Sequence, residues 1–201
     1  MRNTSSKSVY AHWNERRGRR PAPDRAEIDP GAIRHALADT FILAADLAGD
    51  LRFRLAGTRV CALFCRELKG EAFASLWGEP SAETAAHLIT VVNNENVGAV
   101  AGVTGRTQDG ERLELELLLL PLAQGGAARV RALGALTAGE PPYWLGEKPL
   151  VELTLDTLRH VGPAAESVSA PGLVPAPPGR RQHRGFVVYS GGRKDSETER
   201  G

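Results

Sequence analysis

The sequence has little cysteine: only Cys61 and Cys65 in 201 residues. A disulfide framework needs more cysteines at longer spacing, and a structural zinc needs more ligands nearby. Spaced four apart, the two thiols share a face of one helix, and they read as buried groups in a reducing compartment. Long apolar runs are missing as well. None reaches the ~18 residues of a membrane span, and no apolar stretch follows the basic residues of the N-terminus, so no signal peptide is visible. The expectation is a cytoplasmic protein without membrane insertion. Charge of one sign is not in excess, at a net +1, which argues against a nucleic-acid partner. Catalytic signatures are missing too. No Ser-His-Asp or Gly-x-Ser-x-Gly pattern occurs. Gly125-Gly126 has no following Lys and reads as a turn, not a phosphate loop. No enzymatic activity is expected.

What remains is an ordinary globular composition, 42% hydrophobic and 24% charged, at a length that suits one domain with appendages. The stretch Leu51 to Trp77 organises it. Leu51-Arg52-Phe53-Arg54-Leu55 alternates at period two and predicts a strand with one buried face. On that reading Phe53 and Leu55 point inward, and Arg52 and Arg54 face solvent or another chain. Gly57-Thr58 ends the strand, with Thr58 placed to cap a helix through Val60, Leu63, Phe64 and Leu68. Phe73, Leu76 and Trp77 form a second apolar cluster.

Residues 1–8 are polar and read as loose. Tyr10, Trp13 and Arg17 fall on one stripe and predict a helix over Ser8 to Arg17. Residues 1–30 hold seven Arg or Lys against four acids, so this end reads either as a solvated surface or as a contact for a partner or phosphate. Asp29-Pro30 predicts a helix start, with Ile33, Ala36 and Leu37 inward. Phe41 to Asp46 predicts the strand paired to Leu51 to Ala56.

Ser81 to Asn94 predicts a helix with Ala82, Ala85, Ala86, Ile89 and Val92 as its apolar stripe. Strands follow at Val97 to Thr107, Arg112 to Leu120 and Arg129 to Thr137, the first two joined by a Gln108-Asp109-Gly110 turn. Leu150 to Leu158 alternates as a further strand, with Val151, Leu153 and Leu155 on one side. Gly162 to Pro178 reads as a linker, and Gly185 to Tyr189 as one more strand. The order of strands around a helical insert implies α+β with an antiparallel sheet.

That order resembles the PAS domain, and in particular the small stand-alone bacterial PAS proteins formerly catalogued as a domain of unknown function. The matching residues are Trp13, Gly18-Arg19, Pro23, Arg25, Ile28-Asp29-Pro30, Arg52-Phe53-Arg54-Leu55-Ala56-Gly57-Thr58, Phe64, Arg66-Glu67-Leu68, Gly70 and Leu76-Trp77. Asp109-Gly110, the Glu114 to Leu120 strand and Pro121-Leu122 follow. One departure stands out: Cys65 occupies a place where that family usually has Gly.

The resemblance implies a five-stranded antiparallel sheet with helices on one face, plus an N-terminal helix and a flexible C-terminal tail. The division is then 1–30 (helix and connector), 31–159 (PAS-like domain) and 160–201 (linker and tail). It implies a sensory or regulatory module that acts through a protein partner, with no cofactor firmly implied, since a sensor without an output domain passes its state to another protein. The alternative is a small-molecule or haem sensor. Phe53, Leu55, Val60, Phe64, Trp77 and Ile89 are the candidate pocket walls, although apolar residues at these spacings are core first. His87, on the Ser81 to Asn94 helix, is the haem-ligand candidate. The other histidines carry no metal spacing. An isolated helix of about ten residues is unstable in water. The stripe of Tyr10 and Trp13 must therefore be covered, either by its own sheet or by a second copy. The expectation is a homodimer in which Tyr10 and Trp13 are buried against the partner, with Arg16, Arg17 and Arg19 at the rim.

Overall fold

The computed structural model describes residues 1–79, 81–123 and 131–162. The Gln124 to Ala127 loop, the first two residues of the strand expected from Arg129, and the linker, strand and tail expected beyond residue 162 lie outside them.

The sheet is antiparallel and has six strands: β1 (Thr40–Ala45), β2 (Leu51–Ala56), β3 (Gly98–Thr107), β4 (Arg112–Pro121), β5 (Arg131–Ala138) and β6 (Leu150–Val161). Their spatial order is β2-β1-β5-β4-β3-β6. The count corrects the expected five. The Leu150 segment does not stand apart. It pairs along the full length of β3, from Thr107 opposite Leu150 to Gly98 opposite Val161, and covers an edge that five strands would leave open.

The two faces of the sheet bury two separate cores. On one face lie α2 (Thr58–Leu63), a single 3-10 turn (Phe73–Leu76) and α3 (Ser81–Asn94). They pack over Phe41, Leu43, Phe53, Ala101, Leu115 and Leu117. On the other lies α1 (Thr4–Arg17), which packs over Val100, Leu118, Leu120, Leu133 and Ala135. Strand β4 shows how sequence sets this division. Leu113, Leu115 and Leu117 point to the first core, as their alternation with Arg112, Glu114 and Glu116 predicts. In the continuous run Leu118 to Leu120 both faces are buried, because α1 covers the second.

Four expectations need correction. The first concerns residues 1–8, which are not loose. Asn3 caps α1 by accepting from the Ser5 N–H at 2.9 Å, and its amide donates to the Ala138 carbonyl at 3.0 Å. The Glu116 carboxylate accepts from the N–H groups of Arg2 and Asn3. Second, Asp29 does accept from Gly31 N–H at 2.8 Å in the manner of a cap, but no α-helix follows. Ile33, Ala36 and Asp39 bond back to Pro30, Ile33 and Ala36, a run of three-residue turns that still buries Ile33 and Ala36.

Third, Gly57 and not Thr58 occupies the cap of α2. Its N–H donates to Thr40 O at 2.7 Å, and a Cβ there would collide with the carbonyls of Leu37 and Ala38. Fourth, the face assignment of β2 fails at Leu55. Ile42 of β1 lies opposite Leu55 and Leu43 lies opposite Phe53, so Arg54 is an extra residue, a β-bulge. A bulge turns the strand by one side-chain position. Phe53 is therefore buried, while Leu55 is 42% exposed. β6 repeats the device. Glu152 and Leu150 oppose the neighbouring Arg106 and Thr107, which leaves Val151 bulged and 54% exposed, away from the side that buries Leu153.

One short segment closes the first core. Between Gly70 and Gly78 the chain crosses from one sheet edge to the other. Gly70 N–H donates to Phe53 O and Phe53 N–H to Glu71 O on β2. At the far end Gly78 N–H donates to Leu153 O on β6. Both edge strands are thus partly satisfied by the same strap, whose Phe73, Leu76 and Trp77 fill the space beneath it.

Candidate functional site

Five of the six expected pocket residues gather on the strap side of the sheet. Phe53 comes from β2, Val60 from α2, Phe64 from the turn after it, Trp77 from the strap and Ile89 from α3. All are buried in one apolar cluster. Leu55 is not among them, for the reason given by the Arg54 bulge. Sequence reading did not single out Phe41 for this cluster. Its ring packs on Phe53 at 5.4 Å and on Phe73 at 6.1 Å, and Phe73 continues to Trp77 at 5.5 Å. Gly134 makes the Phe41 position available: a Cβ on Gly134 would collide with the far end of the Phe41 ring. The aromatic rings fill one another's spaces at edge, stacked and tilted geometries worth more than area alone. The indole N–H of Trp77 is buried there without a hydrogen-bond acceptor among the described residues.

His87 is on α3 but on its outer side, exposed and turned away from this cluster. The inward positions of the helix are Ala85, Leu88, Ile89, Val92 and Asn93. A haem in this core would not meet His87.

The expected contact residues are also separated by the fold. Trp13 is fully buried against its own sheet, and its indole N–H donates to the Pro121 carbonyl at 2.7 Å. This corrects the expectation that a partner copy buries it; the intramolecular alternative holds for Trp13. Tyr10 stacks beside it at 6.0 Å and is half-buried. The Arg17 guanidinium lies 5.3 Å from the Trp13 ring and also bonds Asn14. Arg16 and Arg19 are exposed.

A polar junction that sequence reading missed ties α1 to α2. Asp39, 7% exposed, receives both Nε and Nη2 of Arg59, at 2.6 and 2.7 Å, and the Ser5 hydroxyl at 2.7 Å. The paired hydrogen bonds raise the Arg59 pKa further above its ordinary value and fix its plane. A cleft of about 180 Å³ opens beside this junction, between it and Thr137, Pro141 and Leu145. No single segment announces the junction, since its three members are spread over fifty-odd residues.

The expectation of two buried thiols is corrected: Cys65 follows the end of α2 and is exposed, and Cys61 is half-buried. Two further groups have shifted acidities. Partial burial pushes the Cys61 thiol up, and the nearby Glu67 carboxylate adds to the effect. Burial also holds His160, on β6, below the usual imidazole range, and its Nε2 has no partner among the described residues. Arg52 is committed to Asp46 at 2.7 Å. Arg54 is exposed.

Three solved structures are similar to the chain at low identity. One is a light-oxygen-voltage domain studied with a flavin analogue, at 14% identity, TM-score 0.42, covering 55% of this chain and 83% of that one. The second is the PAS domain of a protein from Colwellia psychrerythraea, at 16%, TM-score 0.40, covering 55% and 97%. The third is the light state of the blue-light photoreceptor Aureochrome1 LOV, at 18%, TM-score 0.41, covering 54% and 87%. No curated protein matches the chain. The family model described as "PAS domain" matches residues 1–137, from α1 through all but the last residue of β5, so that β6 is added beyond it. The chain belongs to the PAS domain family.

Proposed function

We propose that this chain is a non-catalytic sensory or regulatory module that acts through protein–protein contact, with the cytoplasm as its place of action. The observation that carries the reading is the filled interior. The positions that would wall a ligand pocket, Phe53, Val60, Phe64, Trp77 and Ile89, pack on one another and on Phe41 and Phe73. A core occupied by its own side chains leaves the surface to carry information. That surface offers Leu55, turned out by the Arg54 bulge beside an exposed guanidinium. Leu55 offers apolar contact area, and the adjacent arginine is a residue type enriched at interfaces. A second copy is one such partner, and its contacts are then Tyr10, Arg16 and Arg19, with Trp13 already taken.

The test is a photocrosslinking residue placed at position 55, compared with one at Thr84 on the exposed side of α3. A discrete adduct at 55 only, lost with Arg54→Glu, is the expected outcome. Equal labelling from both positions would overturn the surface assignment. The rival reading, a ligand or haem in the core, is tested by native mass spectrometry and Soret absorbance of the purified chain. A stoichiometric bound molecule would replace the proposal. For the dimer, Tyr10→Glu should lower the mass measured by light scattering, and a wild-type monomer at high micromolar concentration would remove it.

A further inference from the structure

Where the strap meets β6, three distant pieces of chain leave a cleft of about 360 Å³. Its floor is apolar, made by Phe64 after α2, Leu76 of the strap and Leu150 at the start of β6, each at least 96% buried. Its mouth carries Val151, which the bulge opposite Arg106 and Thr107 pushes out of the ladder and leaves 54% exposed. Bulges that re-aim one side chain are frequent at sheet edges and beside sites. The rim carries Cys65, Arg66 and Ser75, whose hydroxyl donates to the Ala72 carbonyl. Cys65 is held at φ 50°, in the left-handed region that a side chain adopts only under strain, and Arg66 follows it directly, exposed. No carboxylate of the described residues pairs with Arg66, although Arg20, Arg52 and Arg59 each have one. It is the one charged residue on the cleft wall.

A cleft of this size that joins an apolar floor to a few polar groups at its rim has the form of a small-molecule site for an amphipathic ligand. The single uncommitted guanidinium fixes the sign of the ligand's head. We propose that this cleft binds an amphipathic monocarboxylate, with its apolar body on Phe64, Leu76 and Val151 and its carboxylate on Arg66. The site lies outside the filled core and does not depend on the partner contact proposed above. It offers that module a way to receive a chemical signal without emptying its interior.

Cys65 supplies the readout, because a ligand lying across the rim shields its exposed thiol. Decanoate is the probe, kept below its micellar range. Decanol is the control for the chain and butyrate the control for the charge. The rate of Cys65 alkylation by iodoacetamide is followed by site-resolved mass spectrometry. Decanoate should slow it saturably by at least fivefold, and decanol and butyrate should need at least tenfold higher concentrations. Arg66→Gln should cost decanoate at least tenfold in half-protection while leaving decanol unchanged. Val151→Trp, which fills the mouth, should abolish protection by both. Far-UV circular dichroism confirms that each variant is folded. If Val151→Trp does not fold, Val151→Phe takes its place. Absence of protection in the wild type, equal protection in Arg66→Gln, or decanol as effective as decanoate would each overturn the proposal. Crosslinks at position 55 would be unaffected by any of these results, so the two readings fail separately.

Discussion

The two faces of the sheet are held by different physics. The strap face is held by apolar area: aromatic rings, leucines and the inner stripe of α3, with few side-chain hydrogen bonds. The α1 face buries a smaller apolar cluster and adds a row of polar hooks. Trp13 bonds Pro121, His12 accepts from Asp29 N–H at 3.0 Å, Asn3 bonds Ala138, Ser5 bonds Asp39, and Glu116 holds the N–H groups that precede the helix. Burial of area is non-directional and survives small shifts, whereas hydrogen bonds are lost when geometry moves. The strap face is therefore the fixed body of the domain. The α1 face depends more on geometry, so single polar substitutions there should loosen α1 locally.

The largest effect should come from the strap face. Phe53→Ala removes a ring from the centre of the aromatic cluster and should cost about 3–5 kcal/mol, read as a lowered urea midpoint with an unchanged slope. A cost below ~1 kcal/mol would mean that the cluster is loosely packed and the interior is free for a ligand.

Next comes the polar seam. Trp13→Phe keeps most of the ring and removes the donor to the Pro121 carbonyl, and should cost about 1–3 kcal/mol. Arg59→Ala should leave the buried Asp39 carboxylate with Ser5 alone and cost a similar ~1–3 kcal/mol. Hydrogen exchange sharpens the comparison. Either substitution should speed exchange in α1 more than in α3. Equal acceleration in both helices would show that the two faces open together.

Legibility in the sequence follows the same division. Strand β4 was readable because Leu113, Leu115 and Leu117 alternate with charges, and α3 because its stripe is periodic. The family resemblance was readable from Arg-Leu-Ala-Gly-Thr and Arg-Glu-Leu-x-Gly. The start of α1 was not, because Thr4 to Ser8 carries no apolar period and its anchor, Glu116, lies more than a hundred residues away. The sixth strand was read as a strand but not as part of the sheet, since only pairing to β3 decides that. Of the candidate site, the core residues were visible as apolar positions. The Asp39–Arg59 junction and the Arg66 cleft were not, because each is assembled from segments that meet only in the fold.

A smaller effect is expected from pH. The folded pKa of His160 lies below its unfolded value because burial disfavours the imidazolium. The unfolded state therefore binds more protons as pH falls through the unfolded pKa, and stability declines on the acid side while remaining flat above it. His160→Phe should flatten this acid-side decline in urea midpoints measured between pH 7.5 and 5. An unchanged decline would show that the burial of His160 does not set it.

The smallest effect bears most directly on the β2 bulge. Leu55 and Phe53 lie two apart on one strand, and strict alternation would place both in the core. On that geometry Leu55→Asp would bury an unpaired charge, at a cost of about 3–5 kcal/mol. The Arg54 bulge instead leaves Leu55 42% exposed. A surface substitution of this kind stays within about 0.5 kcal/mol, and partial burial against Ile42 brings the expected cost to no more than ~1 kcal/mol. Urea midpoints of Leu55→Asp and Phe53→Ala, measured together, should differ by at least twofold in destabilisation, with Leu55→Asp the milder. If the two costs are equal, the bulge is absent in solution and Leu55 returns to the core. If Leu55→Asp is mild and the crosslink from position 55 is lost in an otherwise folded chain carrying Arg54→Glu, the bulge is a device for presenting an apolar contact that the period-two pattern would have buried.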